Sequence, residues 1–160
     1  MAKRGGFDYS QFEQLYKNVE TMRRDYDAWF EDYLLKEALI AWRMTKERTP
    51  VATGTLRGKW SISDIERDGD SLFVYLVNVM EYASYMEEGF YQKGGWVPGI
   101  WKSNGKFQYV AGAKTGMMVK EKWFEGFHMA ELSVMQVMSK TPMKFQREFE
   151  RFMRDHGWGG

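Results

Sequence analysis

The chain has 160 residues, a net charge of +1 and no cysteine, which excludes disulfides and thiolate metal sites. No apolar run reaches the roughly 18–20 residues of a membrane span, and residues 1–6 are not followed by an apolar segment of the kind found in secretory signals. We therefore expect a single domain over residues 1–160, without a membrane partner, made in the cytoplasm of the producing cell.

Aromatic and methionine residues are unusually frequent, with seven Trp, nine Tyr, eleven Phe and twelve Met. Such side chains dominate the buried centres of protein–protein interfaces. A bulky core would also use them, so both interpretations stay open, and the excess favours assembly.

Residues 10–49 predict one long helix. Ser10 and Glu13 have the spacing of a capping box. Apolar residues then recur at steps of three and four, as expected for one helical stripe: Phe12, Leu15, Val19, Met22, Tyr26, Trp29 and Tyr33. Unbroken, the helix has about 37 residues and a length of about 55 Å. Either it bends near residues 33–36, or its free part packs against another subunit, and we favour the second.

Residues 48–60 predict a corner between this helix and a strand. Pro50 has no backbone N–H and stops the helix, and Gly54 can adopt a positive φ. We expect Leu56 to enter the core and Arg57 to bind the backbone or an acidic group such as Glu88. The corner is interpreted as structural and consists of Pro50, Thr53, Gly54, Leu56 and Arg57.

A β-hairpin and a short helix follow the corner. Residues 59–66 and 71–78 flank the turn signal Asp68-Gly69-Asp70, and the second strand is apolar on both faces, which predicts that it is central in a sheet or covered on both faces. Residues 81–88 predict a short helix ending at Gly89. Steps of three would place Tyr82, Tyr85 and Glu88 on one face as candidate interface residues, although the two tyrosines could instead complete the core.

Residues 91–122 predict an extended, Gly-rich loop or arm. Residues 97–101 and 106–111 flank Asn104-Gly105, a strong hairpin signal. Trp96 and Trp101 are candidate anchors on a neighbouring subunit. The segment has six Lys, no Arg and one Glu, and the candidate DNA-facing residues are Lys102, Lys106, Lys114, Lys120 and Lys122.

Two helices are predicted at the C-terminal end. The first covers residues 127–139, and the second opens with Thr141 as N-cap and Pro142 as the first helical residue. Residues 1–9 and 155–160 are expected to be flexible ends. The predicted fold class is therefore α+β, with a long N-terminal helix, a small and mainly antiparallel sheet, an extended hairpin loop and two C-terminal helices.

Three stretches together resemble a known protein family. They are Thr49-Pro50-Val51-Ala52-Thr53-Gly54-Thr55-Leu56-Arg57, then Asn78-Val79-Met80-Glu81-Tyr82-Ala83-Ser84-Tyr85-Met86-Glu87-Glu88-Gly89, then Trp123-Phe124-Glu125-Gly126-Phe127-His128-Met129. In this order and spacing they are similar to the tail-completion, or neck, proteins of long-tailed bacteriophages, the gp-ten-like minor tail components. The chain departs from the family pattern at Ala52, where Asp is usual.

The resemblance implies a structural virion protein rather than an enzyme. It implies a homo-oligomeric ring, expected to be six-fold, at the head–tail junction. The expected partners are further copies of the chain, other neck and tail proteins and, transiently, the passing genomic DNA. The expected location is the neck or tail of the virion, with assembly in the bacterial cytoplasm.

Two other functions stay open. A tail terminator or a head-closure ring protein would have a subunit of similar size and class. A nucleic-acid-binding module using the Lys and aromatic side chains of residues 91–122 is a more remote alternative. His128 and His156 lie in no zinc or triad spacing, and the Gly-rich segments lack the phosphate-loop pattern, so no catalytic, cofactor or metal site is expected.

Overall fold

The computed structural model describes residues 10–52 and 54–158, with only the backbone of Gln11. The helices are α1 (Ser10–Arg48), α2 (Thr55–Gly58), α3 (Ala83–Glu88), α4 (Met129–Met138) and α5 (Thr141–Asp155). The strands are β1 (Trp60–Ile62), β2 (Glu66–Asp68), β3 (Ser71–Phe73), β4 (Leu76–Asn78), β5 (Gly89–Gln92), β6 (Gly95–Trp101), β7 (Phe107–Tyr109), β8 (Gly116–Val119) and β9 (Lys122–Glu125). All strand pairs are antiparallel, and the predicted α+β class is confirmed.

The chain divides into two compact units. The first contains the residues up to Asn78 and from Ala130 onward, and the second contains Val79–Met129. Within the described ranges, no helix combines the length and the apolar character that crossing a bilayer requires.

Helix α1 confirms the prediction from the apolar spacing, because its 39 residues form one helix that ends two residues before Pro50. At 1.5 Å per residue it is about 58 Å long. Its C-terminal half packs in the first unit, where Tyr33 and Ala41 are buried. Near its N-terminus, Phe12 and Tyr16 are about two-thirds exposed. The helix therefore extends beyond the packed part of its unit, as expected.

An aromatic ladder joins α1 to α5. The ring of Tyr33 packs edge-on against Phe145 at 5.4 Å between centroids, and Trp29 lies 5.7 Å from Phe149. The ladder ends at Phe152, whose ring is 5.1 Å from Trp29 and 6.2 Å from Tyr26. Residues later in α5 contact residues earlier in α1, so the two helices are antiparallel. Part of the aromatic excess thus serves the core.

Polar contacts hold both ends of α5 to α1. At the start of α5, Lys144 Nζ lies 3.1 Å from Glu37 Oε1, and the Tyr33 hydroxyl donates to the Thr141 carbonyl at 3.4 Å. Lys140 occupies the N-cap position and α5 begins at Thr141. The predictions of Thr141 as N-cap and of Pro142 as the first helical residue are therefore each wrong by one residue. The Thr141 hydroxyl instead donates backward to the Val137 carbonyl, which joins α4 to α5.

At the far end of α5, the ring of His156 lies between two acceptors. Its Nδ1 is 2.8 Å from the Phe152 carbonyl and its Nε2 is 3.2 Å from Asp25 Oδ2. The pKa of His156 is raised, most by the hydrogen bond to the Phe152 carbonyl and next by the hydrogen bond to Asp25. The same bond to His156 lowers the pKa of Asp25. Only the doubly protonated ring donates to both partners, so this contact is strongest when His156 is charged.

This contact predicts a pH dependence of stability. Because the pKa of His156 is raised on folding, its contribution is complete below the unfolded value near 6.5 and is lost as the pH rises through the folded value. Because the pKa of Asp25 is lowered, its contribution falls only as the medium becomes more acidic than about pH 4. Thermal melts of the wild type should show the stabilisation fading as the pH rises above about 6.5, and His156→Gln should flatten that slope. An unchanged slope in His156→Gln would contradict this role.

The hairpin after the corner has the predicted strands in two ladder segments, β1 with β4 and β2 with β3. The register slips between them, where Ser63 N donates to the Tyr75 carbonyl and Tyr75 N donates to Ser63 Oγ. The expectation that both faces are covered is wrong. Phe73, Tyr75 and Val77 alternate along the second strand and are 39–49% exposed, so the face that carries them is not covered.

The second unit is richer in strands than the sequence predicted. The hairpin around Asn104-Gly105 is confirmed as β6 with β7. However, β8 adds to the other side of β6 to give the order β7-β6-β8, and β5 pairs with β9. The segment expected to be an extended loop is thus mostly sheet, because its strands pair with partners that are distant in sequence.

Candidate assembly surface

The corner after α1 is held by Arg57. Its Nε and Nη2 donate to the Thr49 carbonyl at 3.2 and 2.7 Å, and Nη2 also reaches the Glu47 carbonyl at 3.4 Å. These carbonyls belong to the unpaired end of α1, where a cation is also favoured by the helix dipole. Arg57 therefore uses backbone acceptors, the first of the two kinds of partner considered from the sequence.

A chain of buried hydrogen bonds supports the same corner. The fully buried Thr49 donates through Oγ1 to the Thr45 carbonyl at 2.7 Å and accepts from Trp60 Nε1 at 2.9 Å. The Trp60 carbonyl in turn accepts from Trp42 Nε1 at 2.8 Å. Leu56 is buried, as predicted, whereas Thr53 lies outside the described residues. The first sequence motif contains Thr49 but assigns it no role, and Trp42 lies outside all three motifs. The roles of both depend on contacts that spacing alone does not reveal.

Gly54 gives a clean test of this corner. Its φ is 78° and a Cβ would meet nothing within 4 Å, so only backbone conformation opposes a side chain. Gly54→Ala should lower the free energy of unfolding by about 1–2 kcal/mol, and Gly54→Val by at least as much. Gly58→Ala is the matched control, because Gly58 lies in α2 with equally open space and without a positive φ. If both alanine variants melt at the same temperature, the corner does not depend on Gly54.

In the second unit, two glycines allow α3 to approach the end of β9. A Cβ on Gly126 would lie 2.2 Å from the Glu87 carbonyl oxygen, and one on Gly89 would lie 2.4 Å from the Phe124 carbonyl oxygen. Two hydrogen bonds join the segments at this point. Phe127 N donates to the Met86 carbonyl at 2.8 Å, and His128 N donates to the Glu87 carbonyl at 3.0 Å. Two of the sequence motifs thus meet at one point.

An aromatic cluster lies beside this point on the surface. Phe90 of β5 stacks on Phe124 of β9 at 4.9 Å and 13°, and Tyr85 of α3 packs edge-on against Phe90 at 6.0 Å. Lys122 Nζ sits 4.8 Å from the centroid of the Phe124 ring. Tyr85 is 58% exposed, so the cluster offers an open aromatic face. Tyr85 was identified from the sequence, whereas Phe90 and Phe124 were missed. The alternation of side chains between the two faces of each strand was the signal that could have indicated these two residues.

The other members of the predicted helical face lie at its ends. Tyr82 occupies the position before α3 and Glu88 is the last helical residue, and both are exposed. We define the aromatic patch as Tyr85, Phe90 and Phe124, since ring contacts join these three side chains.

Tyr85→Ala separates an assembly role from a core role. Because Tyr85 is largely exposed and makes one ring contact, its loss should cost the folded monomer less than about 1.5 kcal/mol while weakening self-association. Light scattering and a thermal melt measure the two effects. Tyr75→Ala is the matched control, because Tyr75 is also half exposed and stacks on one phenylalanine, Phe73, in the other unit. A Tyr85→Ala monomer that unfolds would instead place this ring in the core.

The three-stranded sheet carries the two predicted tryptophans on opposite faces, since they are five residues apart on β6. Trp96 covers Gly116 of the neighbouring β8 and is 54% exposed beside Met118. Trp101 packs edge-on against Phe107 at 5.2 Å and is 61% exposed. Each indole therefore keeps one side in the sheet and the other free for a partner.

The predicted DNA-facing lysines do not form one cluster. Lys102 and Lys106 flank the turn between β6 and β7, where Lys102 N donates to the Lys106 carbonyl. Lys120 follows β8 at the opposite end of β6, Lys114 lies in the crossover from β7 to β8, and Lys122 is the first residue of β9, where it pairs with Gln92. The charges are thus spread along the sheet.

Within residues 10–52 and 54–158, no group of His, Asp or Glu side chains could hold a metal ion. His128 adopts φ 47° at the turn into α4, and its backbone N–H has the structural role described above.

Comparison with protein families finds a match to part of the N-terminal half of the chain. Residues 13–89 match the family HK97-gp10_like, described as "Bacteriophage HK97-gp10, putative tail-component". The matched stretch contains the corner, the hairpin and the short helix, and confirms the family resemblance. These residues are therefore similar to a family of bacteriophage tail components. The third motif, at residues 123–129, lies beyond the match and stays a prediction.

A curated relative is the uncharacterized protein YqbI of Bacillus subtilis (strain 168), which is 33% identical over 82 residues. The aligned part is 45% of this chain and 45% of the relative, so the chain spans less than half of the relative's length. No solved structure matches the chain.

Proposed function

From the match of residues 13–89 to a phage tail-component family, we propose that this chain is a neck, or tail-completion, protein. It forms a ring at the head–tail junction and joins the tail to the head. The match is the observation that carries the proposal. In the matched residues, Arg57 binds the carbonyls at the end of α1, and the hairpin follows directly after this corner.

The ring contacts are assigned to the second unit. A cyclic ring needs two different surfaces on each subunit that fit one another. The aromatic patch offers one such surface, and the sheet face with Trp96 and Met118 offers a second. Exposed aromatic and methionine side chains are those that contribute most to interface centres. We take the ring to be six-fold.

Lysines on the sheet suit a surface near moving DNA. Within the described ranges, no carboxylate forms an ion pair with Lys102, Lys106, Lys114 or Lys120. Lys is a compact, hydrated cation that attracts phosphates without the fixed bidentate geometry of Arg. Spread along the sheet, these charges favour transient, salt-screened contact with the genome during its passage over tight retention.

Deletion of the gene from its phage or prophage tests the proposal. We expect DNA-filled heads and finished tails that do not join in electron micrographs. Purified wild-type protein added to the lysate should restore joined particles, Tyr85→Ala should restore few, and Tyr75→Ala should match the wild type.

The other outcomes identify the alternatives. Tails of uncontrolled length would indicate a tail terminator, and heads that lose their DNA would indicate a head-closure protein. Joined, infectious particles without the protein would overturn all three neck functions. Retention of DNA by the purified protein at moderate salt would favour the nucleic-acid-binding module.

A further inference from the structure

The apolar stripe of α1 continues beyond the end of α5. Along Tyr33, Trp29 and Tyr26 the stripe is covered by the phenylalanines of α5, the last of which is Phe152. The His156–Asp25 contact marks the point where α5 ends. The same three-and-four spacing then continues toward the N-terminus through four residues, which we call the open seam: Met22, Val19, Leu15 and Phe12.

Three of the four residues of the open seam are exposed on a helix that is already formed, and the fourth, Met22, is half-buried next to the end of α5. Phe12, Leu15 and Val19 are 65%, 46% and 41% exposed, and Tyr16 beside them is 64% exposed. A strict alternation of three and four is the pattern of a coiled-coil seam, which is completed by a second helix. Since α5 covers one part of the stripe, a second helix lying in the same groove would cover the rest.

We propose that the open seam pairs with the open seam of a second copy of this chain, in antiparallel orientation. In that orientation the partner's α1 begins where α5 ends and runs in the same direction as α5 along the stripe. The seam thus receives one continuous apolar cover from two helices. A parallel pair would instead bring the partner's α1 onto the part of the stripe that α5 occupies.

The spacing is self-complementary in the antiparallel register. Phe12 faces Met22 of the partner subunit and Leu15 faces Val19 of the partner subunit, and the two-fold axis repeats both layers. Each layer thus pairs an a position of one helix with a d position of the other, which is the pairing found in antiparallel coiled coils. The largest seam side chain, Phe12, meets the most flexible one, Met22, which fills irregular space well.

The charge pattern permits this pairing. The residues that flank the seam near the two-fold axis are Tyr16 and Asn18, so uncharged side chains meet their own copies there. The charged residues of the segment, Glu13, Lys17 and Glu20, lie on the outer face of the helix. Contacts between like charges would weaken the pair, and this arrangement avoids them.

The pairing is separate from the ring and describes the protein before it joins the particle. A two-fold contact uses the same surface on both copies, whereas ring contacts use two different ones. The seam covers about three helical turns, which is smaller than a standard stable interface. We therefore expect a reversible dimer whose population rises with concentration, and which opens when the ring forms.

Sedimentation of the purified full chain tests the dimer. The wild type should shift from monomer to dimer with concentration. The double variant Leu15→Glu with Val19→Glu should remain monomeric with an unchanged melting temperature, since both side chains are exposed in the monomer. The control Gln14→Glu with Thr21→Glu adds the same charge on the outer face and should dimerise like the wild type. A wild type that stays monomeric, or a seam variant that dimerises like the control, overturns the proposal.

Cysteine crosslinking tests the orientation. The chain has no cysteine of its own, so single substitutions report only the designed contact. A mixture of Leu15→Cys and Val19→Cys should form mainly the mixed disulfide under mild oxidation. Disulfides of each variant with itself would indicate parallel pairing and contradict the proposal. Both tests use the isolated protein, so their failure leaves head–tail joining untouched, and failure of head–tail joining leaves the dimer intact.

Discussion

Phe152→Ala should lower the free energy of unfolding of the first unit by about 3–5 kcal/mol, the usual cost of removing a buried phenylalanine ring. Phe152 is 7% exposed and lies against Tyr26, Trp29, Phe149 and the ring of His156. Its removal would leave a cavity at the end of the aromatic ladder and release the His156–Asp25 contact. Without that ladder, α5 loses its main attachment to α1.

Chemical denaturation followed by tryptophan fluorescence measures this loss, since Trp29 lies in the ladder. Met143→Ala is the matched control, because Met143 lies on the same helix and is 76% exposed. The control should change stability by less than about 0.5 kcal/mol. Equal small effects from the two variants would mean that the ladder does not hold α5 in place.

Gly126→Ala should disrupt the second unit more than any surface change. The new Cβ would lie within 2.2–2.6 Å of three backbone atoms at the end of α3, so no side-chain movement can relieve it. Overpacking with movable neighbours costs about 1–3 kcal/mol, and we expect a larger loss here. The hydrogen bonds from Phe127 N to the Met86 carbonyl and from His128 N to the Glu87 carbonyl should open.

Hydrogen exchange at the amides of Phe127 and His128 reads this loss directly. Gly105→Ala provides a comparison, because Gly105 has a positive φ of 74° but open space around its Cβ position. That variant should lower the free energy of unfolding by only about 1–2 kcal/mol, the cost of placing a side chain at a positive φ, and should leave the two amides protected. Protected amides in Gly126→Ala would show that the α3–β9 contact tolerates a side chain.

The sequence predicted the elements that depend on local chemistry. The spacing of Phe12 through Tyr33 and the stop at Pro50 predicted α1 almost to the residue. The Asn104-Gly105 turn predicted the pairing of β6 with β7. These signals lie within one helix or one turn, where period and backbone preference decide the outcome.

The sequence did not predict the contacts made between distant residues. Phe90 and Phe124 stack although 34 positions separate them, and nothing near either residue indicates the other. The need for Gly126 likewise arises from the backbone of Glu87 and Glu88. The aromatic excess was interpreted as an assembly signal, yet Trp29, Phe149 and Phe152 serve the core. The candidate interface therefore needed the structure to separate buried rings from exposed ones.

Electron cryomicroscopy of the complete phage particle tests the central claim most directly. We expect a ring of density between the DNA-filled head and the tail tube, each subunit containing one helix of 39 residues and the antiparallel sheet β7-β6-β8. The aromatic patch should lie at the contact between neighbouring subunits. Finding this chain along the tail or at its distal tip, or finding a neck without it, would contradict the account.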